Sequence, residues 1–356
     1  MAVLDAADVL TQRPMSVPTP RGPLSARLST VLLTGEGSDQ LVPEARHAVE
    51  TTTDLVRDDD VQTALFTMYE LHYGGMDLVP DSLEWDLDVL AARAVLEDAF
   101  ESELRARIPV PDRPERDAES VAAALFRFTG EDSGPSLARY VARKADLEQI
   151  REYLVQRSIY TLKEADPHSW AIPRLTGRAK AALVEIQSDE YGGGRPRRMH
   201  SAIFARTVRA AGLDDSYGAY LDVVPAVTLA STNMMTMFGL HRRLRGAIVG
   251  HLAAFEMTSS IPNKFYGDGF RRLGFGEDAT WYFDEHVEAD AVHEQIAGRD
   301  LAGGLVEAEP DLLDDVLFGA AACLAVDGWA AEHMLEAWAA GDSSLLRPLP
   351  SADAAS

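Results

Sequence analysis

Two histidines and an aspartate, His286, Asp290 and His293, stand at i, i+4 and i+7 in the run DEHVEADAVH over 284–293. On an α-helix those positions stack along one face, so two imidazoles and a carboxylate converge on one point. That is a spacing for metal ligands. Glu288 and Gln295, roughly 200° away around the helix, are polar, whereas Ala289, Ile296 and Ala297 beside the three are small or apolar. The ligand face therefore points inward. The motif alone leaves a second reading open, an acidic surface helix that carries two histidines.

Inward polar groups need partners, and the chain supplies them at unusual places. Glu164 stands in an otherwise apolar turn at 159–165. Glu190 falls in the last turn of a helix expected over 177–191, where a carboxylate opposes the helix dipole and needs another reason to be there. His200 leads the apolar stripe Phe204, Thr207, Val208 and Ala211, and Glu256 shares a face with Val249, Leu252 and Ala253. A carboxylate on such a stripe is costly unless paired. Four carboxylates and three histidines on five helices suit a pair of iron or manganese ions better than zinc, whose structural sites prefer sulfur and close at four ligands. In formal charge four carboxylates balance two divalent cations. With one or two of them bridging, positions stay open for dioxygen and water.

The elements that must hold this set are helical throughout. Periodicity and breakers predict helices over 43–58, 61–73, 81–108, 118–128, 136–165, 177–191, 201–211, 220–240 (kinked at Pro225), 241–259, 279–297 and 310–340, with a loop-rich stretch at 267–276. No alternating strand pattern and no internal repeat stands out, so the fold class is all-α. Residues 1–35, with Pro14, Pro18, Pro20 and Pro23, read as a flexible arm, 36–132 as an N-terminal helical subdomain, 133–341 as the main helical domain and 342–356 as a flexible tail.

Composition narrows the function classes. The 356 residues carry a formal charge of −24, which argues against a broad phosphate-binding surface and hence against nucleic acid. No apolar run reaches membrane-spanning length and the N-terminus lacks a signal-sequence pattern, so the expectation is a cytosolic protein with no membrane partner. The single cysteine, Cys323, lies in an apolar run and reads as a small buried side chain. No flavin or nicotinamide fingerprint is visible, so reducing equivalents are expected from an external donor.

Several other residues draw the eye and take plainer readings. Glu70 and His72, two apart, fall on different helix faces and are not expected to bind metal. His168 reads as a turn or packing residue, and His241 and His251, beside Arg242, Arg243 and Arg245, as parts of a surface arginine–carboxylate network. Arg195, Arg197 and Arg198 suit either a substrate carboxylate or a solvated loop. Tyr191, Tyr266 and Tyr282 lie near ligands in sequence and are candidates to line a pocket, in no ranked order. The Gly192 to Gly194 run is a turn, since no Gly-Lys-Ser/Thr follows it.

Glu164 in LKEADPH, Glu190 in EYGGG, His200, Glu256 in FEMTSSIPN, and the run His286, Asp290, His293 together resemble the ligand set of the haem-oxygenase-like diiron oxidases. The resemblance covers about residues 136 to 340. It implies a haem-oxygenase-like helical bundle in which Glu164, Glu190, His200, Glu256, His286, Asp290 and His293 hold two iron ions, with no catalytic residue beyond these ligands. Reduced iron would react with dioxygen as co-substrate to give a peroxo-diferric species. The spacing is most similar to N-hydroxylating members of natural-product biosynthesis, which carry an N-terminal region that pairs subunits, so a homodimer is expected. Their C-terminal cupin domain has no counterpart here, and a nitroso-forming step is expected to be absent with it. Loose metal binding is common in the family, and the loop at 274–278 with Gly298, Gly303 and Gly304 offers hinges on either side of the histidine helix. The expected activity is N-oxygenation of an amine or guanidine of an amino-acid-like small molecule. The alternatives are oxidative C–C cleavage or desaturation of a fatty acid or amino acid, a mixed manganese–iron pair, and a metal-binding protein that has lost its chemistry.

Overall fold

The computed structural model describes residues 14–131 and 136–349, the side chains of 288–292 excepted. The chain begins with α1 (Pro23–Thr34), α2 (Leu41–Thr51), α3 (Asp59–Glu70) and α4 (Leu87–Arg107). Asp58 and Asp86 start α3 and α4 by accepting two backbone N–H groups each, which satisfies donors that have no intrahelical partner. From Val61 to Glu70 every residue of α3 is buried, because α1 and α4 flank it and α11 (Ala226–Leu240) packs on it from the main domain. Asn233 of α11 donates to the backbone and side-chain oxygens of Gln62 at 2.9 and 2.8 Å. The N-terminal helices thus share one hydrophobic core with the rest of the chain.

Residues 14–35 are not a flexible arm. Met15 is buried and bridges Met76, and α1 buries Leu24, Leu28, Val31 and Leu32. The prolines that suggest disorder are compatible with a helix because Pro23 occupies its first turn, where no N–H is needed. Residues 1–13 of the expected arm lie outside the described residues. The expected flexible tail is also ordered at its start: Ser344 and Leu345 are buried, and Glu152 accepts bonds from Trp338, Ser343 and Ser344 at 2.6–2.8 Å.

The chain continues with α5 (Ala118–Gly130), α6 (Leu137–Arg143), α7 (Leu147–Thr161), the short α8 (Asp166–Ser169), α9 (Gly177–Glu190), α10 (His200–Ala210), α11, α12 (Arg245–Met257), α13 (Ser260–Arg272) and α14 (Glu277–Gln295). A π-helical segment, Ile296–Gly303, then leads into α15 (Gly304–Ala308) and the long α16 (Leu313–Ala340). The single helix expected over 136–165 is two, because Asp146 and Gln149 form a capping box that starts α7 afresh. Pro225 is the N-cap of α11 rather than a kink within it. The stretch read as loop-rich at 267–276 is mostly helix: Gly269 belongs to α13, where a Cβ would fall 2.6 Å from the carbonyl oxygen of Val141 on α6. The glycine marks a helix crossing there, not a loop.

Helix α12 is fixed against α16 by the same device used twice. A Cβ on Gly250 would collide with the carbonyl oxygen of Val316, and one on Gly319 with that of Ala247. Removing both side chains lets the backbones approach closely, which sets the position of Glu256 six residues, about 1.7 turns, further along α12. Among the described residues no strand occurs, in agreement with the all-α reading, and no helix is long and apolar enough to cross a membrane.

Candidate metal centre

The sites of the expected ligands are mainly ends of elements. Glu164 follows the C-terminus of α7 in a tight turn that closes with Ala165 at φ 78°, a left-handed conformation uncommon outside glycine. Glu190 is the last residue of α9 and His200 the first of α10, joined by a turn in which Gly192, Gly193 and Gly194 all have positive φ. A Cβ on Gly192 would lie 2.5 Å from the backbone of Arg198, so glycine is what lets this loop fold back tightly. Glu256 comes from α12, and His286 and His293 from positions about two turns apart on α14.

These side chains form two groups with one member in common. Ligand atoms of Glu164, Glu190, His200 and His286 all lie within 4.8 Å of one another, and so do those of Glu190, Glu256 and His293. All six residues are buried. Asp290 lies on α14 between the two histidines, and its side chain is outside the described residues. His200 Nδ1 is 2.9 Å from Glu190 Oε2, and the His200 and His286 rings lie 4.4 Å apart.

The hydrogen bonds around the histidines select which nitrogen faces the cluster. His286 Nδ1 donates to the carbonyl of Tyr282 at 2.7 Å, which leaves Nε2 directed at Glu164, 3.8 Å away. His293 pairs the other way: Nε2 meets Asp189 Oδ2 at 3.0 Å, while Nδ1 lies 3.5 Å from Glu256. A carboxylate behind a ligating imidazole fixes its tautomer and raises its basicity. Tyr282 also donates its hydroxyl to Glu164 Oε1 at 2.7 Å, whereas Glu164 Oε2 is buried with no hydrogen-bond partner. That orphaned oxygen, in a group of hard and imidazole donors with a shared carboxylate, fits two divalent ions.

Proton affinities reflect the same crowding. Burial, reinforced by Glu190, pushes the Glu164 carboxyl well up. Burial also raises Glu256, against the pull of His293. Glu190 goes the other way, because the His200 charge and hydrogen bond outweigh its burial. His286 is depressed to about 4 by burial and by His200. His293, despite burial, rises to about 9 through its bonds to Glu256 and Asp189.

The remaining candidates separate cleanly. Glu70 and His72 lie away from the cluster, Glu70 paired with Lys163 and His72 bonded to Glu84 at 3.0 Å. His241, Arg243 and Arg245 form the expected carboxylate network with Glu97, Glu101 and Glu309. His251 does not join it. It is buried, and its Nδ1 sits 3.1 Å from His168 Nε2. Arg198 pairs with Glu285 at the surface. Tyr191 bonds Asp166 and Ser169 at 2.7 and 2.8 Å, and Tyr266 stacks on Tyr153 at 4.6 Å, so of the three tyrosines only Tyr282 touches a ligand. Gly298 and Gly303, expected as hinges, are close-packed: a Cβ on them would meet Met257 and the Ala118 carbonyl oxygen at 2.5 Å. Asp189 was not singled out from sequence; the only signal is that it precedes Glu190 in a doubly acidic helix end.

A family model described as an iron-containing redox enzyme matches residues 151–328, a span that includes every one of the expected ligand positions. The chain belongs to this haem-oxygenase-like family of iron-containing redox enzymes. It is therefore an oxidoreductase. Within the family it is similar to a nitrosourea synthase from Streptomyces achromogenes subsp. streptozoticus, with 29% identity over 184 residues, 51% of this chain and 39% of the relative. The match spans about two fifths of that relative's length.

Proposed function

We propose that this iron-containing redox enzyme is a non-haem diiron oxygenase that N-oxygenates an amine or guanidine of an amino-acid-like small molecule. The observation that carries the reading is the sharing of Glu190 between two buried donor groups, since one carboxylate serving two clusters is what a dinuclear site needs. Glu164, His200 and His286 would hold one ion and Glu256 and His293 the other, with Glu190 between them and Asp290 as seventh ligand. The bound iron pair would supply dioxygen activation, with electrons from an external donor.

The protein's own residues shape what reaches that site. A small cavity of about 10 Å³ lies against Glu164, Glu190, Glu256 and His286, and is lined further by Tyr160, His168, Leu252 and Phe255. Similarity to an enzyme named for a nitrogen-oxidised product supports nitrogen as the atom attacked. Tyr282 holds Glu164 Oε1 and leaves Oε2 for metal. Asp189 holds His293 with Nδ1 inward. A homodimer in the cytosol belongs to the same proposal, and a monomer by light scattering would remove that part of it.

The test is anaerobic loading with Fe(II), followed by oxygenated buffer, a chemical reductant and a panel of amino-acid amines and guanidines. The expected result is two irons bound per chain, with oxygen uptake coupled to a product heavier by one or more oxygen atoms on nitrogen. Binding of fewer than two irons would overturn the diiron reading. Oxygenation or cleavage at carbon alone would overturn N-oxygenation and leave the C–C cleavage alternative.

A further inference from the structure

We infer that Lys163, anchored by Glu70 of the N-terminal helices, is the positioning residue for the ligand Glu164. Through this pair the N-terminal region becomes part of the metal site's support. The inference rests on the dinuclear reading above.

Lys163 and Glu164 are neighbours in the chain but reach into different surroundings. Glu164 enters the donor cluster. Lys163 is buried at 5% exposure and pairs with Glu70, itself 2% exposed at the last residue of α3. Its ammonium lies in an aromatic box, 4.1 Å from the centroid of Tyr73, 5.2 Å from Phe66 and 5.4 Å from Tyr217. Tyr217 closes the box by donating to the same Glu70 oxygen at 2.9 Å. Three cation–π faces and one buried carboxylate fix a side chain that is otherwise among the most mobile.

The turn that carries Glu164 requires such fixing. It leaves α7 through two backbone bonds, Lys163 to Tyr160 at 2.9 Å and a long one from Glu164 to Thr161 at 3.4 Å, and ends at Ala165 in the left-handed region. A non-glycine residue there costs on the order of 1 kcal/mol and persists only where its surroundings over-determine it. On the far side, Gln187 of α9 donates to the Ala165 carbonyl at 2.8 Å. The turn is thus held at both flanks of the ligand, by α9 after it and by α3 before it. Of these two only the α3 tether depends on a charge pair, and losing either partner of a buried pair leaves the other charge uncompensated.

The experiment compares wild type with Lys163→Met, Glu70→Gln and the double variant Glu70→Gln/Lys163→Met, each titrated anaerobically with Co(II) and followed by calorimetry and the visible cobalt spectrum. Thermal melts of the metal-free proteins run alongside. Each single variant strands a buried charge and is expected to melt lower. The double variant leaves none, so it is expected to fold near the wild-type melting temperature and still to bind one of the two cobalt ions about tenfold or more weakly, with an altered spectrum for that ion. A double variant that takes up both ions with unchanged affinity and spectrum would overturn the positioning role and leave the dinuclear reading intact. A wild type that takes up fewer than two ions would overturn the dinuclear reading and this inference with it.

Discussion

Glu190 Oε2 and His200 Nδ1 lie 2.9 Å apart although one residue ends a helix and the other begins the next. The glycine-rich turn between them therefore brings two donors to one point from a single fold-back of the chain. Glu190 is also the residue common to both donor groups. Its removal should differ in kind from the removal of any other ligand. Glu190→Ala is expected to retain almost no iron, whereas His200→Ala and Glu256→Ala should each keep about one ion. Elemental analysis after anaerobic loading and desalting reads the difference; equal losses in all three would mean that Glu190 is not shared.

Metal binding should be linked to protons. In the metal-free protein the pKa of His293 is raised from 6.5 to about 9, and that of Glu164 is raised as well. For groups raised on folding, the stabilisation is complete below the unfolded pKa and is lost as pH rises through the folded one. The metal-free protein should lose stability between about pH 6.5 and 9 on account of His293. Ligation needs these same groups deprotonated, so metal affinity should rise over that window and binding should release protons. Thermal melts with and without Co(II) across the range would show a widening gap; a constant gap would contradict the linkage.

Tyr282 and Asp189 should tune the site without being ligands. Tyr282→Phe removes one hydrogen bond to Glu164 and leaves a ring of the same shape, and hydrogen bonds to charged groups contribute about 1.5–3 kcal/mol. Metal affinity should fall by about tenfold. Asp189→Asn removes the carboxylate behind His293 and should weaken binding by about 10- to 100-fold. Cobalt titration at fixed pH measures both, and unchanged affinity in Asp189→Asn would assign that contact to the surface alone.

The crossing of α12 on α16 should be intolerant of a single methyl group. Gly250→Ala places a carbon against the Val316 carbonyl, and Gly319→Ala does the same against Ala247. Overpacking typically costs about 1–3 kcal/mol, and backbone contacts cannot yield as a side chain can. Both variants should show a lower denaturant midpoint, while Gly328→Ala, in open space on the same helix, should be close to neutral or slightly stabilising.

The buried donors that the fold gathers were legible in the sequence where they broke a local rule. Glu190 opposes its helix dipole, Glu256 interrupts an apolar stripe, and His286 and His293 recur at helical spacing beside small and apolar neighbours. What supports them was not legible. Asp189, Lys163 and Glu70 are ordinary charged residues on acidic helices until the fold brings distant segments together, and no periodicity encodes a contact between residues 70 and 163. The glycines misled in one direction: Gly269, Gly298 and Gly303 read as loop or hinge, but a glycine selected for close packing has the same sequence signature as one selected for a turn. Pro23 misled for a similar reason, since a first-turn proline and a disordered one look alike.

The π-helical segment at Ile296–Gly303, eight residues long, immediately follows the helix that bears His286 and His293. Its i→i+5 bonding stores one more residue between its two ends than an α-helix joining the same faces would need. An indel has opposite consequences on the two sides of this junction. Deleting one residue within 296–303 lets the stretch rewind as α-helix with both flanking faces still aligned. The same deletion between His286 and His293 turns one imidazole about 100° away from the other. Along this helix, chain length is constrained at the donors and elastic just beyond them.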